Sequence, residues 1–288
     1  MTMAGDVHAF PGRDEPRYDR IGRGYARRRR ADPRLAEHIH AALGGARTVV
    51  NVGAGAGSYE PRDRHVVAIE PSDVMAAQRP PNLAPAIRAH AHDLPLRDDS
   101  VDAALAILTI HHWDDDQQRG VRELQRVARG PVVILTYDPD VSTRMWLTAD
   151  YLPELAELDR RIFPAPGQLA DWLGEPTRVQ ALAIPRDTPD WTLGSFWAHP
   201  ERVLDPDARG GTSGFARMNT AVVDRVVAAV NDDLRSGRWD ARHGHLRRLT
   251  SYDAGLRLVI SEARRRSPEP SAVRRVPPDR RARRRRAR

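Results

Sequence analysis

The 288-residue sequence contains no cysteine and no lysine. Without cysteine the chain can form neither a disulfide framework nor a thiolate metal site. The absence of lysine excludes the phosphate-binding P-loop, because that motif requires one. No apolar run approaches the roughly 18–20 residues that span a bilayer, and the start of the chain, MTMAGDVHAF, lacks the basic-then-apolar pattern of a secretion signal. We therefore expect a cytoplasmic protein with no membrane contact.

The net charge of +7 is unevenly distributed along the chain. All 46 basic residues are arginine, and residues 264–288 hold twelve of them against two acids, which leaves a mildly acidic remainder. A segment rich in arginine and proline has too few apolar residues to fold alone, so we expect a disordered tail at 264–288. Clustered arginines attract phosphates without reading sequence, so a nucleic-acid tether stays open but is not favoured.

The most informative segment is VVNVGAGAGSYEP, residues 49–61. β-Branched residues lead into a turn with glycine at positions 53, 55 and 57. Glycine tolerates the backbone angles of a sharp turn and lets a ligand approach the main chain closely. A second apolar segment ends in Glu70, where a carboxylate can accept hydrogen bonds from ribose hydroxyls. The pattern predicts a site for a cofactor that contains a nucleoside.

The spacing after Gly53 is G-x-G-x-G, which does not match the dinucleotide fingerprint G-x-G-x-x-G. Asn51 to Gly57 instead resembles the first motif of class I S-adenosylmethionine-dependent methyltransferases of type 11, (D/E)-x-G-x-G-x-G. Asn51 stands where the family has an acid that contacts the ammonium group of the cofactor. Residues 92–102, HDLPLRDDSVD, resemble the family segment D-L-P-F-x-D-x-S-F-D. The resemblance extends over about residues 18–137.

The resemblance implies S-adenosylmethionine as the cofactor. In relatives, the acid that corresponds to Asp93 accepts from the adenine amino group. A segment like the one that contains Tyr18, Tyr25 and the run Arg27 to Arg30 folds over the cofactor as part of a lid, although a solvated face is the alternative for the arginines. The residues expected around the cofactor are Asn51, Gly53, Ala54, Gly55, Gly57, Glu70, Pro71, Asp93, Leu94, Thr109 and Tyr25.

Apolar segments alternate with helical ones, which predicts an α/β fold with a doubly wound, Rossmann-like, seven-stranded and mostly parallel sheet. The predicted strands are residues 48–52, 65–69, 86–89, 103–109, 132–136, 178–184 and 252–261. The predicted helices include 18–43, with a break at Asp32-Pro33, 145–158 and 219–236. We expect a flexible N-terminus at 1–17 and a methyltransferase domain at 18–263. A helical cap is expected to be inserted into this domain at about 185–250.

Within this insertion, Val222, Val226, Val227 and Val230 recur at helical spacing and are predicted to be core. Three aromatic residues, Trp191, Phe196 and Trp197, either line a pocket or anchor the cap, and we expect two of them to be anchors.

His111 and His112 follow the fourth strand, where related enzymes place groups that face the substrate. A general base is needed only if the methyl acceptor must lose a proton. We predict that one of the two serves this purpose, with His111 preferred. Alternatively, His111 packs against the cofactor and His112 caps the next helix. Adjacent residues on a regular element cannot both reach one metal ion, so no metal site is predicted.

The leading hypothesis is methyl transfer to oxygen, nitrogen or carbon of a small molecule. One alternative is an RNA or protein methyltransferase tethered by the basic tail, and another is a non-catalytic protein that binds S-adenosylmethionine. The motif (D/N)-P-P-(Y/F) of DNA adenine methylases does not follow strand four, where the chain reads TIHH. The sequence carries no signal for the oligomeric state.

Overall fold

The computed structural model describes residues 29–262. Tyr18, Tyr25, the predicted flexible N-terminus at 1–17 and the predicted tail at 264–288 lie outside this range. Nine strands form, namely β1 Thr48–Val52, β2 His65–Ile69, β3 Ala86–Ile87, β4 Ala103–Ile107, β5 Val132–Tyr137, β6 Thr177–Ala181, β7 Ile184–Pro185, β8 Ser251–Tyr252 and β9 Leu256–Ser261, counted over the described residues.

Seven of these strands form one sheet with the order β3-β2-β1-β4-β5-β9-β6. Strands β1 to β5 pair in parallel, with Val50 opposite both Val67 and Ala104. Strand β9 runs antiparallel to both β5 and β6. The predicted seven-stranded, mostly parallel sheet is therefore confirmed. In such a sheet the carboxyl ends of neighbouring parallel strands meet at one edge, and ligands bind there.

Four strand predictions were too long. Strand β3 ends at Ile87 and not at Ala89. Strand β4 ends at Ile107 and not at Thr109, because Leu108 adopts a left-handed φ of 49°. The predicted strand at 178–184 is two strands, since β6 ends at Ala181 and Ile184 belongs to β7. The predicted strand at 252–261 is also divided, between β8 and β9, which pair in different sheets.

Ten α-helices surround the sheet in the described range: α1 Pro33–Ala42, α2 Asp73–Ala76, α3 Gln117–Val127, α4 Pro139–Ser142, α5 Pro153–Ile162, α6 Pro166–Leu173, α7 Pro206–Gly210, α8 Ser213–Ala216, α9 Thr220–Arg235 and α10 Arg238–His243. Helix α1 begins at the predicted break, where the Asp32 carboxylate accepts from the Arg34 amide at 3.0 Å. Helix α9 confirms the prediction for 219–236, with Asn219 as its N-cap.

The predicted helix at 145–158 was wrong in its bounds. Residues Leu147–Tyr151 form a π-helical turn, and α5 then begins at Pro153 and continues to Ile162. Proline at the first helical position favours this new start, because the missing N–H would have no partner inside the helix.

The insertion packs against one face of the sheet and extends its core. Phe196 and Trp197 are fully buried, and the Trp146 indole donates to the Trp197 carbonyl at 2.9 Å. Two of the three aromatics are therefore core residues, and their role as anchors of a cap stays a prediction. Of the predicted core valines, Val226 and Val230 are fully buried, and Val222 and Val227 are partly buried against the same cluster.

Candidate active site

The glycine turn follows β1 at the edge of the sheet where ligands are expected. Gly53, Gly55 and Gly57 all have left-handed φ angles, of 68°, 50° and 87°. A Cβ on Gly53 would lie 2.0 Å from the hydroxyl oxygen of Thr109, which follows β4. Glycine is therefore required at this position for both its backbone angle and the close approach of the neighbouring strand.

Glu70 binds the glycine turn to the end of β2. One oxygen of its buried carboxylate accepts from the Gly55 amide at 2.7 Å and the other from the Ser72 amide at 2.9 Å. The Ala54 amide donates to the Ile69 carbonyl at 2.9 Å, which holds the turn against the same strand. The predicted acid thus lies beside the predicted turn, with Pro71 directly after it.

Two residues beside the turn, Glu60 and Arg79, were missed by the sequence analysis. Asn51, in β1, donates from Nδ2 to the buried carboxylate of Glu60 at 2.9 Å. Glu60 also forms a two-point ion pair with Arg79, at 3.0 and 2.9 Å, and both side chains are almost fully buried. Arg79 in turn donates to the Gly55 carbonyl at 3.2 Å. No recognisable spacing connects Glu60 with Arg79, so this network could not be found from the sequence.

Asp93 lies farther along this edge of the sheet, in the loop between β3 and β4, and is exposed. The next residue, Leu94, is buried, and its amide donates to Glu123 of α3 at 2.9 Å. Hydrogen bonds to Arg126 hold the same Glu123 carboxylate and keep its pKa low. The loop that presents Asp93 is therefore fixed to α3 through Leu94.

The two predicted histidines differ in their surroundings. His111 is buried, and its ring stacks on Phe163 with 4.2 Å between the ring centroids. His112 accepts at Nδ1 from the Arg217 guanidinium at 3.0 Å, because a guanidinium can only donate. His112 therefore cannot take up a proton at Nδ1 while this bond persists.

A cavity opens beside His111, between the carboxyl ends of β4 and β5 on one side and segments 192–194 and 212–217 on the other. It encloses about 720 Å³ of space, its open mouth included. Its walls come from Leu108 and His111 after β4, from Tyr137 of β5, from helix α5 and from these two segments. Both apolar and polar side chains line it, which suits an organic molecule that carries a few polar groups.

One wall of the cavity is held by a buried ion pair. Arg29 contacts Asp190 with 2.5 Å between Nε and Oδ1, and Tyr59 donates to the other oxygen of Asp190 at 2.8 Å. Arg29 thus lies on the cavity wall and not on a solvated helix face. Tyr137 forms a 2.8 Å hydrogen bond with Thr192, and burial raises the pKa of its hydroxyl. This phenol is therefore protonated at neutral pH.

Helix α5 carries a third residue that the sequence analysis missed. Asp159 is buried and lines the cavity. Burial raises the pKa of its carboxyl group to about 7, and the charge of Arg217 acts in the opposite direction. The sequence could have indicated this residue, because Asp159 is a charged residue at helical spacing from the apolar Leu155 and Ile162.

Comparisons with known proteins agree with this geometry. Residues 50–134 match the family described as "Methyltransferase domain". The chain is 30% identical to a protein of Anabaena variabilis assigned as a methyltransferase of an antibiotic biosynthesis pathway. The TM-score is 0.74, over 82% of this chain and 99% of that one. A SAM-dependent methyltransferase of Thermotoga maritima is 23% identical, with a TM-score of 0.48 over 60% and 86% of the two chains. No curated protein sequence matches the chain.

The chain therefore belongs to the class I S-adenosylmethionine-dependent methyltransferases. It is an enzyme, and S-adenosylmethionine is its cofactor. Across residues 29–262, no helix is long and apolar enough to cross a membrane.

The residues around the glycine turn fit this cofactor. Asn51 Oδ1 is buried and has no hydrogen-bond partner within residues 29–262. Buried acceptors are rarely left unsatisfied, and an amino-acid ammonium group is a donor that would satisfy this one. Asn51 could thus keep the acceptor role of the acid that relatives have, although Asn51 itself carries no charge.

Proposed function

We propose that this enzyme transfers the methyl group of S-adenosylmethionine to a small molecule bound in the cavity beside His111. The observation that carries the proposal is the position of this cavity, which opens where β4 and β5 end and is closed by the inserted cap. Small-molecule sites of open α/β sheets occur at this edge. The cap is proposed to span about residues 185–250, as part of a methyltransferase domain at 18–263.

The proposed cofactor contacts come from the turn and the loops along the same edge. Asn51, Gly53, Ala54, Gly55 and Gly57 would hold the amino-acid part, and Glu70 with Pro71 the ribose. Asp93, Leu94 and Thr109 would surround the remaining part of the adenosyl group. The support is that the turn, Glu70 and Thr109 lie within hydrogen-bond or van der Waals reach of each other. Tyr25, outside the described residues, stays a prediction.

When bound, S-adenosylmethionine supplies a methyl group that is already activated by the positive charge on sulfur. The protein's contribution is then to hold the acceptor in line and to exclude water, and alignment at about 3–3.5 Å supplies most of the rate gain. His111 lies on the cavity wall and could contact an acceptor. His112 is bound to Arg217 and could act only indirectly. A role of His111 as general base stays a prediction.

The test combines binding and turnover. Calorimetry should show binding of S-adenosylmethionine, and S-adenosylhomocysteine should form with members of a panel of small phenols, alcohols, amines and carbon acids. The variant Ser213→Phe would fill the cavity from the first residue of α8. It should abolish turnover and leave cofactor affinity unchanged. Ala216→Phe, on the exposed side of the same helix, is the matched control. Equal turnover in both variants would refute the proposed acceptor site.

A further inference from the structure

Asp159 is a buried carboxylic acid that faces the cavity. It makes no hydrogen bond and no ion pair with any other side chain in residues 29–262, although only 8% of its surface is exposed. Buried carboxylates normally have partners, because an unpaired charge loses its hydration. A carboxylic acid kept in this position needs an explanation beyond folding.

Among the charged and aromatic groups that line the cavity, Asp159 and His111 are the candidates for the proton acceptor. Arg29 and Arg217 are cations without acceptor atoms, and Tyr137 is protonated at neutral pH because burial raises the pKa of its hydroxyl. His111 stacks flat on Phe163, and its Nδ1 is shielded from solvent. Asp159 combines access to the cavity with an oxygen that can accept a proton.

We propose that Asp159 is the catalytic base of the methyl transfer and that the acceptor atom is an oxygen or nitrogen that carries hydrogen. The inference rests on the proposed function. The acceptor's lone pair forms the new bond to the methyl carbon, and the bond between that carbon and sulfur breaks, with its electron pair left on sulfur. The proton of the acceptor passes to a carboxylate oxygen of Asp159, which later releases it to solvent.

The surroundings of Asp159 suit this role. The apolar neighbours Leu155 and Ile162 on α5 disfavour the charged carboxylate, and Arg217 partly offsets this effect. The resulting pKa of about 7 lies near the operating pH, where a general base is most efficient. Ionisation of the carboxyl group and removal of the acceptor's proton are then both accessible at neutral pH.

The first test measures the protonation state of the Asp159 carboxyl group and needs no methyl acceptor. Infrared difference spectra of the intact protein between pH 5 and pH 9 should show a carboxylic-acid C=O band that disappears around pH 7. The band should be absent in Asp159→Asn. It should persist in Glu157→Gln, which removes an exposed carboxylate from the same helix. If the wild-type spectrum lacks a titrating band that depends on Asp159, the proposal is overturned.

The second test measures turnover with the same phenols, alcohols, amines and carbon acids. In the wild type, kcat/KM for the best O–H or N–H acceptor should rise with pH through about 7. Asp159→Asn should lower kcat by about 10²–10⁴-fold, leave KM nearly unchanged and abolish the pH-dependent rise. Asp159→Glu should recover part of the rate, and Glu157→Gln should behave like the wild type.

The outcomes separate the two proposals. An unchanged pH profile in Asp159→Asn, or methylation confined to the carbon acids, would overturn the role of Asp159 and leave the proposed function standing. If the pH-dependent rise is lost in His111→Asn and kept in Asp159→Asn, the base is His111. If S-adenosylmethionine binds and no panel member is methylated, the proposed function fails, and the infrared titration alone then decides on Asp159.

Discussion

Replacing Asp159 by asparagine should stabilise the folded protein, and the gain should grow with pH. The pKa of this carboxyl group rises from 3.8 to about 7 on folding, mainly because the group is buried. One unit of pKa difference between the folded and unfolded protein corresponds to about 1.4 kcal/mol. The ionised carboxylate therefore costs the folded wild type about 4 kcal/mol at pH 8, as an order-of-magnitude figure.

The direction of this pH dependence follows from how many protons the folded and unfolded states bind. Below pH 3.8 the group is protonated in both states and contributes nothing, whereas between pH 4 and pH 7 the folded protein binds the extra proton. Wild-type stability from this group therefore falls as pH rises through that window and is constant above it. Between pH 5 and pH 8 the advantage of Asp159→Asn should grow by about 2.5 kcal/mol.

Urea unfolding of both proteins at pH 5 and pH 8, followed by tryptophan fluorescence, measures this difference. Because the effect is a change with pH, any fixed cost of burying the amide cancels, and so do groups that titrate equally in both proteins. Glu157→Gln serves as the exposed control and should show no comparable growth. A stability difference between Asp159→Asn and wild type that is the same at both pH values would refute the reasoning.

Three further predictions concern the cofactor side and the tail. Gly53→Ala should destabilise the fold by about 1–3 kcal/mol through backbone strain and should weaken S-adenosylmethionine binding in calorimetry. The control Gly45→Ala, at a position with open space around it, should do neither. Equal effects of the two variants would mean that the turn does not require glycine at position 53. Glu60→Met should lower the free energy of unfolding in urea by about 3–5 kcal/mol, because it leaves the buried Arg79 without its carboxylate. The double variant with Arg79→Met should recover most of this loss. If it does not, the buried charge of Arg79 is not the cause. Deletion of residues 264–288 should change kcat/KM for a small acceptor by less than about twofold at any salt concentration, and a steep, salt-dependent loss would favour a nucleic-acid substrate instead.

The parts of the site that depend on local sequence were predictable. The glycine turn and Glu70 follow strands whose apolar residues are contiguous, and glycine at alternate positions has few structural meanings. The mostly parallel sheet was predictable because apolar segments alternate with helical ones along the chain. The bounds of α9 were predictable because Asn219 is a good N-cap and the valines repeat at helical spacing.

The parts that depend on tertiary packing were not predictable. His112 and Arg217 lie 105 residues apart in sequence, and their hydrogen bond exists only because the segment after α8 folds back to the end of β4. The Arg29–Asp190 pair spans 161 residues in the same way. The π-helical turn before α5 was also missed, since its residues have ordinary helical preferences and only Pro153 indicates the break.

The small sheet of β7 and β8 brings the two ends of residues 186–250 together. Ile184 pairs with Tyr252, so the chain leaves and rejoins the main fold at neighbouring points. An exchanged segment would therefore meet the same two attachment points, but it would also have to replace Phe196 and Trp197, which are fully buried in the core shared with β9. Grafting the corresponding segment of another enzyme onto this frame should transfer its choice of acceptor while methyl donation continues.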